Sequence, residues 1–101
     1  MTITVEFTGT AARIVLSGGI DYATQEEFKN ANRQALSAKG VREIQVDFAQ
    51  ATFLDSSAIR ALLVLNKEAG AAGKPLVLVN CNDRMREIFE IGGFDKMFTF
   101  R

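Results

Sequence analysis

Apolar and polar residues alternate at the start of the chain. In Met1-Thr2-Ile3-Thr4-Val5-Glu6, and on to Phe7 and Thr8, the apolar side chains fall at every second position. A strand with one buried face requires that period. A turn at Gly9 leads to Arg13-Ile14-Val15-Leu16, which pairs back as a hairpin, and Gly18-Gly19 ends it. The period then changes. Thr24 followed by Glu27 has capping-box spacing, so a helix is predicted from Thr24. Phe28, Ala31, Ala35 and Leu36 share one face of it, and Gly40 is placed to receive its C-terminus. Val41, Ile44, Val46 and Phe48 supply a third strand. Asp55 or Ser56 is a natural N-cap for a second helix bearing Ile59, Leu62, Leu63 and Asn66. Gly70 and Gly73 close that helix, and Pro75 introduces a fourth strand, Leu76 to Val79. This run is apolar throughout and suits a central position covered on both faces. A polar loop, Asn80-Cys81-Asn82-Asp83, opens a third helix with Met85, Ile88 and Phe89 turned inward. Gly92-Gly93 stops it, and Met97 to Phe100 forms a brief last strand.

The order is β-β-α-β-α-β-α-β. Helices between strands imply right-handed crossovers and a mostly parallel mixed sheet, with the first hairpin adding an antiparallel edge. At 101 residues the chain is the size of one domain, expected to run over 1–101. Such a chain buries roughly two-thirds of its unfolded surface. No repeat, linker or low-complexity stretch divides it.

Composition narrows the chemistry. Twelve Lys plus Arg balance twelve Asp plus Glu, so no basic field gathers nucleic acid or anionic lipid. There is no histidine, hence no Ser-His-Asp or Cys-His machinery and no His-bearing zinc site. The lone cysteine, Cys81, excludes an internal disulfide and fits a reducing compartment. The N-terminus lacks the basic and greasy regions of a signal peptide, and no apolar run approaches the ~20 residues that span a bilayer. A cytoplasmic, non-enzymatic binding module without metal or cofactor is expected.

Three segments invite a site. Gly70-Ala71-Ala72-Gly73-Lys74-Pro75 echoes a phosphate-binding loop, but a helix precedes it, a strand follows it, and Pro75 stands where the hydroxyl belongs. Gly18-Gly19-Ile20-Asp21 is a glycine turn without a dinucleotide fingerprint; Asp21 serves equally as a loop carboxylate, an accessory cap or a functional group. The polar cluster Asp47, Asp55, Ser56 and Ser57 is the most informative. One residue suffices to cap a helix, and three polar groups in a row exceed that need. No base activates these serines as nucleophiles. A hydroxyl at a helix start is a reasonable phosphate acceptor, because the helix dipole tolerates the added charge while an acidic or apolar partner is repelled. Elsewhere, Phe94, Met97, Phe98 and Phe100 crowd near the chain's end and are expected to leave an uncovered apolar patch. Cys81 reads as an inert apolar filler.

The whole pattern resembles the STAS domain of bacterial anti-sigma factor antagonists. Gly18-Gly19-Ile20-Asp21-Tyr22-Ala23-Thr24 is similar to the family's turn into its first helix. Val46-Asp47-Phe48 and then Phe53-Leu54-Asp55-Ser56-Ser57-Ala58-Ile59 are similar to its acidic strand and Asp-Ser-Ser helix start, and Ile91 to Phe98 to its third helix exit. The resemblance implies phosphorylation of Ser56, with Ser57 a secondary position, by a serine kinase that is also an anti-sigma factor and has a histidine-kinase-like ATPase fold. The unmodified protein would bind that kinase, the phosphorylated form would let go, and a PP2C-type phosphatase would reset it. Asp21, Thr24, Asp55, Ser56, Ser57, Ala58 and Arg60 would form the partner-facing surface, and Asp47 would be a local support. The family's Gly after the serines, then Leu-Gly, is replaced here by Ala58-Ile59-Arg60. Many relatives continue into a fourth helix, which is expected to be short or absent here. The same fold also serves as a non-switching subunit docked on the ATPase of a membrane transporter, such as an ABC-type lipid transporter. A small-molecule or nucleotide sensor built on Gly18-Gly19 is a third reading.

Overall fold

The computed structural model describes residues 2–101; Met1, the first residue of the alternating stretch, lies outside them. Strands β1 (Ile3–Thr8), β2 (Ala11–Ile20), β3 (Glu43–Leu54), β4 (Leu76–Val79) and β5 (Thr99–Phe100) alternate after the hairpin with helices α1 (Gln25–Ser37), α2 (Ser56–Ala71) and α3 (Asp83–Ile91). Spatial order follows chain order, β1-β2-β3-β4-β5, with β1–β2 antiparallel and every later pair parallel. The expected mixed α/β sheet with its antiparallel edge hairpin is thus what the chain forms. Each crossover steps to the next strand in the same direction. With a common hand, such steps place all the helices on one face. The core agrees: Ile14, Leu16, Ile44, Val46, Phe48 and Leu78 from the sheet form one cluster with Phe28 of α1, Leu62 and Leu65 of α2, and Met85 and Phe89 of α3.

The opposite sheet face carries a polar lattice rather than a second layer of helices. Arg13 donates to Gln45 Oε1 (2.9 Å) and to Asp47 Oδ2 (3.3 Å), and Gln45 donates to Glu43 Oε2 (2.7 Å). Arg101 pairs with Glu43 at 2.7 Å. Those two bonds, Gln45 before Arg101, hold the Glu43 carboxyl below its usual range against a smaller opposing effect of burial. Val77 and Val79 of β4 are buried yet lie outside the core cluster, in register with Gln45 and Asp47. The fourth strand is therefore buried on both faces as expected, but helices cover one face only.

Three local expectations are corrected. Gly18-Gly19 does not end the second strand, which runs on to Ile20. The partner β3 gains one residue between Val15 and Ser17 and another between Gly18 and Gly19, and Gly18 supplies a φ of +73° there. Such bulges re-aim a strand end, and glycine adopts positive φ without steric cost. Thr24 does not cap α1 in a box with Glu27. Its hydroxyl accepts from Asp21 N (3.0 Å) while Asp21 Oδ1 accepts from Thr24 N (3.3 Å), closing the box one turn earlier over a 3-10 turn, Tyr22–Thr24. Glu27 is drawn away to accept from Ile3 N at 2.8 Å. The C-terminal aromatics cover themselves: Phe89 packs edge-on against Phe48 (6.0 Å), Phe98 (5.5 Å) and Phe100 (5.5 Å). Of the four residues expected to lie open, only Met97 is a large exposed hydrophobic. The loop echo, by contrast, joins a helix end to a strand start as expected, and its Lys74 reaches back to Leu36 O (2.6 Å) and Ala38 O (3.4 Å), capping the end of α1.

Candidate functional site

Ser56 is the first residue of α2, and Asp55 is its N-cap in an extended conformation (φ −93°, ψ −179°). The Asp55 carboxylate is fully occupied. Oδ1 accepts from Ser57 Oγ (2.6 Å) and from Ala58 N (3.0 Å), and Oδ2 accepts from Tyr22 N (3.1 Å). Asp55 N donates to Ile20 O at 3.1 Å, so backbone and side chain together lock the β3–α2 corner to the end of β2. The Ser57 hydroxyl, and after it the amides of Ala58 and Tyr22, hold the Asp55 carboxyl below its ordinary value of 3.8, outweighing burial. The corner carries a stable negative charge at neutral pH.

The two serines are consequently not equivalent. Ser57 is half-buried and commits its hydroxyl to Asp55. Ser56 is exposed, and its hydroxyl makes no hydrogen bond to the described residues. It opens on a shallow hollow of about 250 Å3 shared with Tyr22, Gln25, Ser57 and Arg60. Tyr22 is 77% exposed, the only tyrosine in the chain. Neither Tyr22 nor Gln25 was singled out by motif reasoning; the signal was an aromatic residue placed in a turn between two caps, where no core needs it.

The structure gathers most of the residues expected at this surface but not all. Asp21 and Thr24 stand beside the corner, half-buried and turned onto one another in their box. Arg60 is exposed at the rim, one turn after Ser56. Ala58, by contrast, is 2% exposed and belongs to the core, so it lies beneath the partner-facing surface rather than on it. Asp47 leaves the cluster altogether. Seven residues separate it from Asp55, two of them taken up by the bulges, and from Asp47 to Leu54 the sheet advances five steps of the partner β2, roughly 17 Å at the usual rise. There it accepts from Ala49 N (2.9 Å), the amide freed by the first bulge, and from Asn80 Nδ2 (3.0 Å). Cys81 is half-buried, and burial pushes its thiol up to about 11, which leaves it protonated and unreactive.

Among the described residues, no group of His, Cys, Asp and Glu is arranged to hold a metal ion, and no helix is long and apolar enough to cross a membrane. The exposed Ser56 hydroxyl stands at a helix start beside a carboxylate already committed to Ser57, Ala58 and Tyr22, where it is open to modification or binding.

The family model described as Mlab, STAS domain matches residues 3–99. A STAS-domain containing protein of Pseudomonas aeruginosa is 34% identical over 91 residues, covering 89% of this chain and 87% of its own. BtrV of Bordetella bronchiseptica, named as a candidate anti-sigma factor antagonist, is 30% identical over 83 residues, covering 82% of this chain and 71% of its own. The solved structure of the Bacillus cell fate determinant SpoIIAA in its phosphorylated form superposes with a TM-score of 0.71 at 26% identity, over 98% of this chain and 90% of that one.

Proposed function

The chain belongs to the STAS domain family, and from that premise we propose that it is an anti-sigma factor antagonist switched by phosphorylation of Ser56. Unmodified, it docks a serine kinase that doubles as anti-sigma factor and has a histidine-kinase-like ATPase fold. Phosphorylated, it is released, and a PP2C-type phosphatase restores it. The protein acts in the cytoplasm and performs no catalysis of its own. The observation that carries this reading is the unequal use of the paired serines: Ser57 is spent on the Asp55 cap, while Ser56 is exposed and free. A phosphoryl group there adds about −1.5 to −2 charges beside the ionised Asp55, and the dipole at the start of α2 tolerates it within the fold. A partner surface shaped for a small neutral hydroxyl next to a carboxylate does not accommodate that charge.

The test is direct. Ser56→Asp weakens binding to the cognate kinase by roughly tenfold or more, on the order of 1.4 kcal/mol. Ser56→Ala binds and is not released by ATP. Phosphopeptide mapping of the native protein places the modification on Ser56. If the Asp variant binds as well as the unmodified protein, or if pull-down from the native cell returns a transporter ATPase with Ser56 unmodified, the switch is wrong and the constitutive-subunit role replaces it.

A further inference from the structure

Between α1 and α2 lies a groove of about 500 Å3, lined in part by Lys29, Asn32, Arg33, Arg60, Ala61 and Val64. Its volume is that of a small-molecule site. The groove contains a group the fold does not explain. Asn32 sits in the middle of α1 at 7% exposure, and its Oδ1 has no hydrogen-bond partner among the described residues. A buried amide oxygen without a donor is destabilising, and an apolar residue of the same shape would avoid the cost. Around it the lining is cationic: Lys29, Arg33 and Arg60 against the single carboxylate of Glu68. Arg33 bonds only to the neutral Asn30 Oδ1, at 3.0 Å, and neither Lys29 nor Arg60 takes part in an ion pair among the described residues. Leu36, Ala61 and Val64 supply an apolar wall.

We propose that this groove binds a small amphiphilic anion, an organic carboxylate or phosphate monoester. Its apolar body lies along Ala61 and Val64, and its acid group sits among Lys29, Arg33 and Arg60 and accepts from Asn32 Nδ2, the atom of that amide left open to the groove while Oδ1 is sealed. Charge complementarity and the unpartnered amide select this occupant over a purely apolar one. The groove shares Gln25, Ser57 and Arg60 with the hollow at Ser56, so an occupant alters the surface that a partner reads. The site stands on the groove alone and does not require Ser56 to be phosphorylated.

The experiment titrates the isotope-labelled full chain with indole-3-propionate and, separately, indoxyl phosphate. The two probes share the indole body and differ chiefly in the acid group, which is the part that meets Asn32 Nδ2 and the three cations. Saturable amide shifts confined to 25–37 and 57–68 are expected for at least one, and the tighter probe identifies carboxylate or phosphate as the preferred acid. Lys29→Glu weakens that probe roughly tenfold. Asn32→Leu weakens it similarly while leaving the melting temperature unchanged or raised. The proposal is overturned if neither probe gives saturable shifts at millimolar concentration, as for a groove that takes only a partner's helix. It is equally overturned if the shifts centre elsewhere, or if Asn32→Leu stabilises the fold without changing affinity.

Discussion

Asp47 within β3 and Asp55 just past its end accept the same number of hydrogen bonds. Asp47 takes them from Ala49 N, Asn80 Nδ2 and Arg13, and Asp55 from Ser57 Oγ, Ala58 N and Tyr22 N. Their surroundings differ. Asp47 is 8% exposed, and its donors join a lattice that continues through Arg13 to Gln45, Glu43 and Arg101. Asp55 stands at a surface corner, and beside it one hydroxyl, that of Ser56, is left over. A satisfied carboxylate is therefore no mark of a site in itself. What distinguishes the corner is a rigid frame of satisfied groups around one that is free, which presents that group to a partner at little conformational cost.

This contrast is broken most forcefully at Asp47. Asp47→Ala leaves the Ala49 amide, the Asn80 amide group and the Arg13 guanidinium without their acceptor. A loss of about 2–3 kcal/mol is expected in urea unfolding, less than for a fully buried ion pair because Arg13 is partly solvated. Kinase affinity of the protein that remains folded should not change, since Asp47 lies far along the strand from Ser56. A drop in affinity without loss of stability would erase the division between the two aspartates.

Asp55→Ala has the smaller structural effect and the larger functional one. Loss of the cap costs about 1 kcal/mol. The Tyr22 amide and the Ser57 hydroxyl are released at the same time, so the hollow loses its frame. Kinase binding is expected to fall by more than the stability change predicts, as read by calorimetry at a temperature where the variant is fully folded. Equal binding would mean that the corner need not be rigid.

Much of this was legible in the chain, for identifiable reasons. Strand and helix periods placed the five strands and three α-helices, though not the run of β3 beyond Phe48 or the 3-10 turn before α1. Asp55-Ser56-Ser57 after an apolar run located the corner, because capping chemistry is local. The failures were long-range. Glu27 has the right spacing for a capping box, but Ile3 N, 24 residues away in sequence, takes its carboxylate. Gly18-Gly19 looks like a stop, yet the strand runs through it opposite a bulge in β3 that only the register reveals. Asp47 joined the serines in sequence because spacing along a strand is not visible as distance. The groove between α1 and α2 could not be read at all, since Asn32 and Arg60 are brought together only by the packing of the two helices.

The finest test separates Ser57 from Ser56 through acid. Because the folded Asp55 carboxyl lies below its ordinary 3.8, the native state gains stability from it that is fully present above that value. The gain fades as pH falls through 3.8 towards the lower folded value, where both states are protonated. Ser57 is the largest cause of the lowering, so Ser57→Ala raises the Asp55 midpoint and flattens the acid limb of the stability curve. At neutral pH its cost should stay below about 1 kcal/mol, the net worth of an exposed-side hydrogen bond. Carboxyl-carbon titration by NMR reads the midpoint directly. Phosphorylation of Ser57→Ala by the cognate kinase should still occur on Ser56, whereas Ser56→Ala should leave the Asp55 midpoint where it was and abolish phosphorylation. A Ser57→Ala protein that resists phosphorylation, or a Ser56→Ala protein that shifts the Asp55 midpoint, would show that frame and free hydroxyl are one unit rather than two.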